Sequence, residues 1–149
     1  MRSISATSNM KNMNNFSSSQ FQGATLVGAD FSGSNLSNAN FASSVASIYV
    51  QDDPACISDR TYTCPAHYTN SARFTEANLT GAQAIGARFS RVDFSRAIMR
   101  NVNFQYAAMN QCPFTGADLS YANFSDASLI DSYLGDATTV GINLDRARR

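Results

Sequence analysis

The segment Ala117–Asp126 reads ADLSYANFSD, two consecutive five-residue units in which a large apolar residue follows two positions after an alanine. We call this large residue the centre of its unit. The same period runs from Ala72 to Leu144, and only Ala84 and Thr139 interrupt the bulky series. The centres are Phe74, Leu79, Ala84, Phe89, Phe94, Met99, Phe104, Met109, Phe114, Leu119, Phe124, Leu129, Leu134, Thr139 and Leu144.

A period of five fits neither of the ordinary secondary structures. On an α-helix, successive centres would advance by roughly 140° and would not form a stripe. On a continuous strand, an odd spacing would send Phe89 to one side and Phe94 to the other. The pattern requires a corner once in every unit, so that four corners close a square coil of about 20 residues. The centre and the residue two positions before it then point inward, and stacked coils lie roughly 4.8 Å apart.

Three units show a further pattern. Ala117–Tyr121, Ala122–Asp126 and Ala77–Gly81 resemble the A-(D/N)-(L/F)-x-x unit of pentapeptide-repeat proteins. The resemblance extends over residues 14–46 and 72–147 and recurs in phase about twenty times. It implies an all-β fold, a right-handed quadrilateral β-helix, here of about five coils with one long inserted loop.

The phase of the repeat divides the chain. Residues 1–13 are polar and aperiodic and are expected to form an N-terminal tail, whereas residues 14–149 are expected to form a single repeat domain. The spacing between Phe41 and Phe74 is not a multiple of five, so we predict a loop at residues 47–71. The centres before this loop are Phe16, Phe21, Leu26, Phe31, Leu36 and Phe41.

Phenylalanine and glycine follow the same period. All ten phenylalanines are centres. Seven of the eight glycines lie two positions after a centre, where we expect each corner to need a backbone free of strain from Cβ. These glycines are Gly23, Gly28, Gly33, Gly81, Gly86, Gly116 and Gly141.

The predicted loop is the strongest candidate for a contact surface. A long insertion in a regular solenoid is usually functional or disordered, and the aromatic content of this one favours order and contact. The residues expected to touch a protein partner are Tyr49, Asp52, Asp53, Tyr62, His67 and Tyr68.

The three cysteines fall into two classes. Cys56 and Cys64 lie in the loop, either as a disulfide, which requires an oxidising compartment, or as free thiols. Zinc could take both cysteines with His67 and either Asp52 or Asp53, but this spacing matches no familiar zinc module, and no metal site is predicted. Cys112 occupies an inward position and is expected to pack like a slightly larger alanine.

Composition argues against several functional classes. The formal net charge is zero, so no overall field attracts the chain to nucleic acid or to a membrane surface. No apolar run approaches the roughly 20 residues of a membrane helix. No convergent polar constellation favours catalysis or a cofactor, since His67 has no nucleophile fixed near it. We expect a cytoplasmic, non-enzymatic protein, or a periplasmic or thylakoid-lumen one if a signal was removed and Cys56–Cys64 is oxidised.

Charges at the surface test the coil length. If a coil advances the chain by twenty positions, Arg73 should lie next to Asp93 and Glu76 next to Arg96. The charges also segregate along the axis, because residues 101–145 contain five acids and no base. A solvated surface with chance clustering explains this segregation best. The acids are Asp118, Asp126, Asp131, Asp136 and Asp145.

The resemblance suggests two interaction functions. Some pentapeptide-repeat proteins are dimeric rods that resemble duplex DNA, bind DNA gyrase, and inhibit or protect it. The neutral charge of this chain departs from that pattern, since a mimic of a polyanion should be acidic along its length. We therefore predict a protein-interaction scaffold that contacts its partner through the loop at residues 47–71 and a face of the β-helix. A DNA-mimicking protein that binds DNA gyrase and inhibits or protects it is the alternative. An end-to-end homodimer is expected to cover the last coil through Leu134, Val140, Ile142 and Leu144.

Overall fold

The computed structural model describes residues 15–46 and 71–149, which form a right-handed quadrilateral β-helix. Neighbouring coils pair through isolated parallel bridges of one residue each, not through long strands. Asn78 pairs with Ile98, Ile98 with Asp118, and Asp118 with Thr138, so each coil advances the chain by twenty positions. The predicted fold class is therefore confirmed.

Stacking of the coils produces four walls, which we call faces A to D in chain order. Each face takes its name from the centres that share it. Face A contains Phe16, Leu36, Leu79, Met99, Leu119 and Thr139. Face B contains Phe21, Phe41, Ala84, Phe104, Phe124 and Leu144. Face C contains Leu26, Ala46, Phe89, Met109 and Leu129, and face D contains Phe31, Phe74, Phe94, Phe114 and Leu134.

The Asp or Asn before each centre has a local structural role. Asp118 Oδ1 accepts a hydrogen bond from the backbone N–H of Ser120 at 3.1 Å. Asn123 Oδ1 accepts one from Ser125 N at 3.0 Å in the next unit. A short side chain with an acceptor oxygen reaches the backbone two positions ahead, as in an Asx turn. The repeat therefore prefers Asp and Asn because they bind the N–H group where the chain starts to turn.

The corners need a left-handed residue but not a glycine. Thirteen non-glycine residues described by the structure adopt a positive φ two positions after a centre, including Tyr106 and Tyr121, both at 59°. The expectation that each corner requires a backbone without Cβ was therefore wrong. Hydrogen bonds hold this strained conformation: Tyr106 N donates to Ser125 O of the next coil at 3.1 Å, and Ala107 N donates to Phe104 O at 3.0 Å across the corner.

Phenylalanine rings stack along the inner side of face D. The ring centroids of Phe94 and Phe114 are 5.5 Å apart with an interplanar angle of 6°. Phe74 stacks on Phe94 at 5.4 Å, and Phe31 stacks on Phe74 at 5.1 Å. Residues one coil apart thus lie on one wall, as the sequence predicts, and a continuous aromatic column runs through the core.

Face B keeps its aromatic packing at Ala84, although this centre has a small side chain. Ala84 is only 1% exposed. Phe89, the next centre along the chain, approaches the face B rings on both sides of it. Its ring centroid lies 6.1 Å from that of Phe41 and 6.3 Å from that of Phe104. One ring from face C therefore replaces the missing ring of face B.

The insertion joins face C to face D. Asp30 pairs with Arg73, which lies forty-three positions later instead of twenty, so the insertion lengthens one coil by twenty-three positions. Its two ends meet where Ala72 N donates to Ala46 O at 2.9 Å. Residues 47–70 of the predicted loop and the predicted tail 1–13 lie outside the described residues, so those boundaries stay predictions.

Candidate functional site

The predicted partner-contact residues and the two loop cysteines lie outside the described residues. Their arrangement therefore stays a prediction. Within residues 15–46 and 71–149, no group of three or more His, Cys, Asp or Glu side chains could hold a metal ion. The same ranges contain no helix that is long and apolar enough to cross a membrane. The undescribed contact and cysteine residues are Tyr49, Asp52, Asp53, Cys56, Tyr62, Cys64, His67 and Tyr68.

The two charge pairs expected between neighbouring coils occur in register. Arg96 Nη2 lies 2.8 Å from Glu76 Oε1. Arg73 and Asp93 are direct bridge partners of the backbone. The Glu76–Arg96 pair is largely exposed, so it contributes under about 1 kcal/mol to stability. These contacts confirm the coil length.

Arginines neutralise part of the acidic segment. Arg100 Nε lies 2.5 Å from Asp118 Oδ2. The Ser120 hydroxyl and, after it, Arg100 hold the pKa of Asp118 below its usual value by hydrogen bonding to the charged form. Arg146 Nε and Nη2 lie 2.6 and 2.8 Å from Asp126.

The two-pronged contact from Arg146 lowers the pKa of Asp126 and raises the pKa of Arg146. Asp118 and Asp126 are two of the five acids in this half of the rod. Because arginine balances both of them, the acidic half does not present an unbroken row of free carboxylates. The electrostatic pattern differs from that of a polyanion.

A charged corner surrounds the ends of the insertion. Arg88 is the bridge partner of Val45, next to Ala46, where the insertion begins. Arg91 Nε donates to Gln111 Oε1 at 2.6 Å on the same corner. Arg73 follows Ala72, where the insertion ends. The bridge partners of Arg73 on face D are Asp30 and Asp93, so the insertion leaves the rod at a corner that carries both basic and acidic side chains.

Face B carries an uncharged column of amides that the sequence analysis missed. The position before each centre of this face is Asn or Gln in every coil that the structure describes. The signal in the sequence is an amide at every twentieth position, but the insertion hides it between Asn40 and Gln83. We call this column the amide ladder. It contains Gln20, Asn40, Gln83, Asn103, Asn123 and Asn143.

The last coil exposes part of the core, and the end-to-end dimer expected there stays a prediction. Leu134, Ile142 and Leu144 are half-buried, and Val140 is 59% exposed. One coil earlier, Leu129 N donates to Arg148 O at 2.7 Å. In the last coil, the equivalent backbone N–H groups are those of Leu134, Thr139 and Leu144. They donate to no other described residue.

Cys112 lies in the core as predicted. Its side chain is 1% exposed, and its thiol donates to Phe89 O at 2.9 Å. Burial raises the pKa of Cys112 to about 12. The thiolate is the reactive form of cysteine, so this residue is structural in the folded protein.

Comparisons with known proteins agree with this architecture. A family model described as pentapeptide repeats matches eight copies within residues 15–44, 72–111 and 97–136. A search of curated proteins finds no match. Among solved structures, a trypsin-treated form of QnrB1, a plasmid-mediated fluoroquinolone resistance protein, is 20% identical with a TM-score of 0.63. That match covers 94% of this chain and 71% of QnrB1.

A second solved structure is HetL, a pentapeptide repeat protein involved in heterocyst differentiation regulation, from the cyanobacterium Nostoc sp. strain PCC 7120. It is 19% identical with a TM-score of 0.52, and the match covers 98% of this chain. The chain spans only 59% of HetL. Both likenesses concern the fold. The family model covers more than half of the sequence, and the structure has the corners and inward positions of that repeat, so the chain belongs to the pentapeptide repeat family.

Proposed function

We propose that this protein is a non-catalytic interaction scaffold that contacts a protein partner through the insertion and the charged corner around it. One observation carries the proposal: the rod closes beneath the insertion. Ala72 N donates to Ala46 O, and Phe31 stacks on Phe74 across the interruption. The core therefore does not depend on the insertion to continue from one coil to the next.

The composition of the insertion supports contact with a protein. Tyrosines are enriched where interfaces bury amphipathic side chains, and Tyr49, Tyr62 and Tyr68 are the proposed contacts. Asp52, Asp53 and His67 add polar groups to the same segment. Arg73 and Arg88 flank its ends and can add charge complementarity at the rim.

An excision in register tests this proposal. Deleting Ser47–Thr69 restores the normal coil length and places Phe74 five positions after Ala46, so that Asn70 and Ser71 form an ordinary corner. We expect this variant to keep the β-helix circular-dichroism spectrum and to lose the partners that the full chain retains in a pull-down. The triple variant Tyr49→Ala, Tyr62→Ala, Tyr68→Ala should lose the same partners.

The matched control extends the deletion by one position, to Ser47–Asn70, and shifts the pentad phase by one. It should unfold or lose stability, because its centres no longer face the core. Partners that bind the in-register excision as well as they bind the full chain would refute the role of the insertion.

Gyrase binding is the alternative function that the family resemblance suggests. The shared fold with QnrB1 supports it at the level of architecture, whereas the arginine contacts to Asp118 and Asp126 argue against a mimic of DNA. A supercoiling assay with purified gyrase decides between the two proposals. If the protein is a scaffold for another partner, neither the full chain nor the excised chain should change the supercoiling activity of gyrase. Inhibition or protection that disappears on excision would establish the alternative.

We also propose that two copies meet end to end at the last coil. The half-buried Leu134 and Leu144 and the exposed Val140 would regain apolar contacts there. The backbone N–H groups at this edge would acquire acceptors, which supports pairing between the two ends.

A further inference from the structure

A buried hydroxyl without a partner lies next to the start of the insertion. Ser44 is fully buried, and within residues 15–46 and 71–149 its Oγ atom is the one buried side-chain nitrogen or oxygen that has no hydrogen-bond partner. An unpaired group of this kind is costly, because water bonds to it in the unfolded chain. The equivalent inward positions of the later coils are all alanine, so packing does not require a serine here. These positions are Ala87, Ala107, Ala127 and Ala147.

A second inward serine shows what such a hydroxyl can do to the coil before it. At an ordinary corner, the N–H of the inward residue donates to the carbonyl oxygen of the preceding centre, as Ala117 N does to Phe114 O at 2.9 Å. We call this contact the corner bond. Cys112 N instead donates to Ser132 Oγ at 3.0 Å, and Ser132 Oγ donates to Met109 O at 2.5 Å. The hydroxyl thus stands between the two backbone groups and satisfies both.

Ser44 has the same register against a corner of the first described coil. It follows Ala24 by twenty positions, as Ser132 follows Cys112. Here the corner bond is closed, since Ala24 N donates to Phe21 O at 2.9 Å. A hydroxyl carries one donor and two acceptor lone pairs. Ser44 could therefore replace this single corner bond with two hydrogen bonds, one from Ala24 N and one to Phe21 O.

The two corners are released on the same side. Elsewhere the residue after the inward one donates to the coil before it, as Val45 N does to Ala24 O at 2.9 Å. Pro113, which follows Cys112, has no N–H group for this bond. Thr25, which follows Ala24, has an N–H group that donates to no other described residue. Neither corner is therefore held by the bond that restrains an ordinary one.

We propose that the corner Phe21–Ala24 is a two-state element at the base of the insertion, and that the Ser44 hydroxyl switches it between a closed and a bridged state. The bridged state gains one hydrogen bond. It also widens the corner and disturbs the stack of Phe21 on Phe41, whose ring centroids lie 4.9 Å apart at 8° in the closed state. Because these effects oppose each other, the bridged state should be populated at about 1–10%.

The corner is coupled to the insertion through a short path. Val45 N donates to the carbonyl oxygen of Ala24, the residue whose N–H changes partner. Val45 is followed by Ala46, whose carbonyl oxygen accepts from Ala72 N at 2.9 Å where the insertion closes. Movement of the corner thus reaches the base of the insertion. Selection of one corner state by a partner rests on the proposed function, whereas the corner equilibrium itself does not.

Relaxation-dispersion nuclear magnetic resonance of the full chain tests the proposal, because it detects exchange on the microsecond-to-millisecond timescale. We expect exchange at the backbone amides of Ala24 and Val45. Ser44→Ala should abolish it at both, and should not lower the melting temperature, since alanine occupies the equivalent position of every later coil. The matched control Ser37→Ala removes an outward hydroxyl from the same coil and should leave the exchange unchanged.

Ser132→Ala tests the bridge at the corner where it is observed. Without the hydroxyl, Cys112 N should form an ordinary corner bond to Met109 O, because no other group then separates them. A scalar coupling across this hydrogen bond, between the Cys112 nitrogen and the Met109 carbonyl carbon, should appear in the variant and be absent from the unaltered chain.

The proposal is wrong if Ala24 shows no exchange in the unaltered chain. Exchange that persists in Ser44→Ala would also overturn it, since the motion would then be fraying of the first coil and not a switch of the hydroxyl. A Ser132→Ala variant without the new coupling would overturn the bridging geometry, because the corner would then stay open for another reason.

Discussion

Substitution of Phe94 measures how much stability the aromatic column supplies. Phe94 is fully buried, stacks on Phe74 and Phe114 within 5.5 Å, and meets Phe89 and Phe104 edge-on or near it. Phe94→Ala should lower the free energy of unfolding by about 3–5 kcal/mol, the usual cost of removing a buried phenyl ring. For a chain of this length, that loss lowers the melting temperature by about 10–15 °C.

Phe94→Leu separates the stability that comes from apolar packing from the stability that comes from ring stacking. Leu79 and Leu119 already occupy equivalent inward positions, so Phe94→Leu fits the site and loses mainly its two stacked pairs. Each such pair contributes about 0.5–1.5 kcal/mol, so the variant should lose about 1–3 kcal/mol. Phe16→Ala, at a half-buried ring in the first described coil, should cost less than Phe94→Ala.

Urea unfolding followed by circular dichroism gives these free energies. The reasoning fails if Phe94→Ala costs no more than Phe16→Ala, because Phe94 could not then lie in a continuous core. A far-ultraviolet spectrum dominated by helix for the unaltered chain would be equally damaging.

Two further predictions concern the core thiol and the last coil. The folded state raises the pKa of Cys112 to about 12, so the stability that this thiol contributes is complete below the unfolded pKa and is lost as pH rises toward 12. Between about pH 8 and about pH 10.5, the free energy of unfolding of the unaltered chain should fall by about 2 kcal/mol more than that of Cys112→Ala, as measured by urea unfolding. An equal fall in the two proteins would contradict this. Light scattering at micromolar concentration should give a dimer that Leu144→Glu converts to a monomer, whereas a monomeric mass for the unaltered chain would exclude the end-to-end contact.

The sequence was sufficient to predict the inward positions because a period of five has a single geometric solution. Phe94 and Phe114 are one coil apart and their rings stack, and Glu76 meets Arg96 for the same reason. It was not sufficient to predict the corners. Many residues besides glycine adopt a positive φ there, since hydrogen bonds to the next coil hold the conformation at positions such as Tyr106.

The sequence by itself determined the repeat, the identity of the core residues and the existence of an insertion. It could not determine how the two blocks pair, because the spacing between Phe41 and Phe74 is consistent with several insertion lengths that differ by five. Hydrogen bonding between coils decides among them: Asp30 pairs with Arg73 and Asn40 with Gln83. The unbroken aromatic column of face D and the amide ladder of face B exist only in that pairing, since both are built from residues that the chain brings together after closing the insertion.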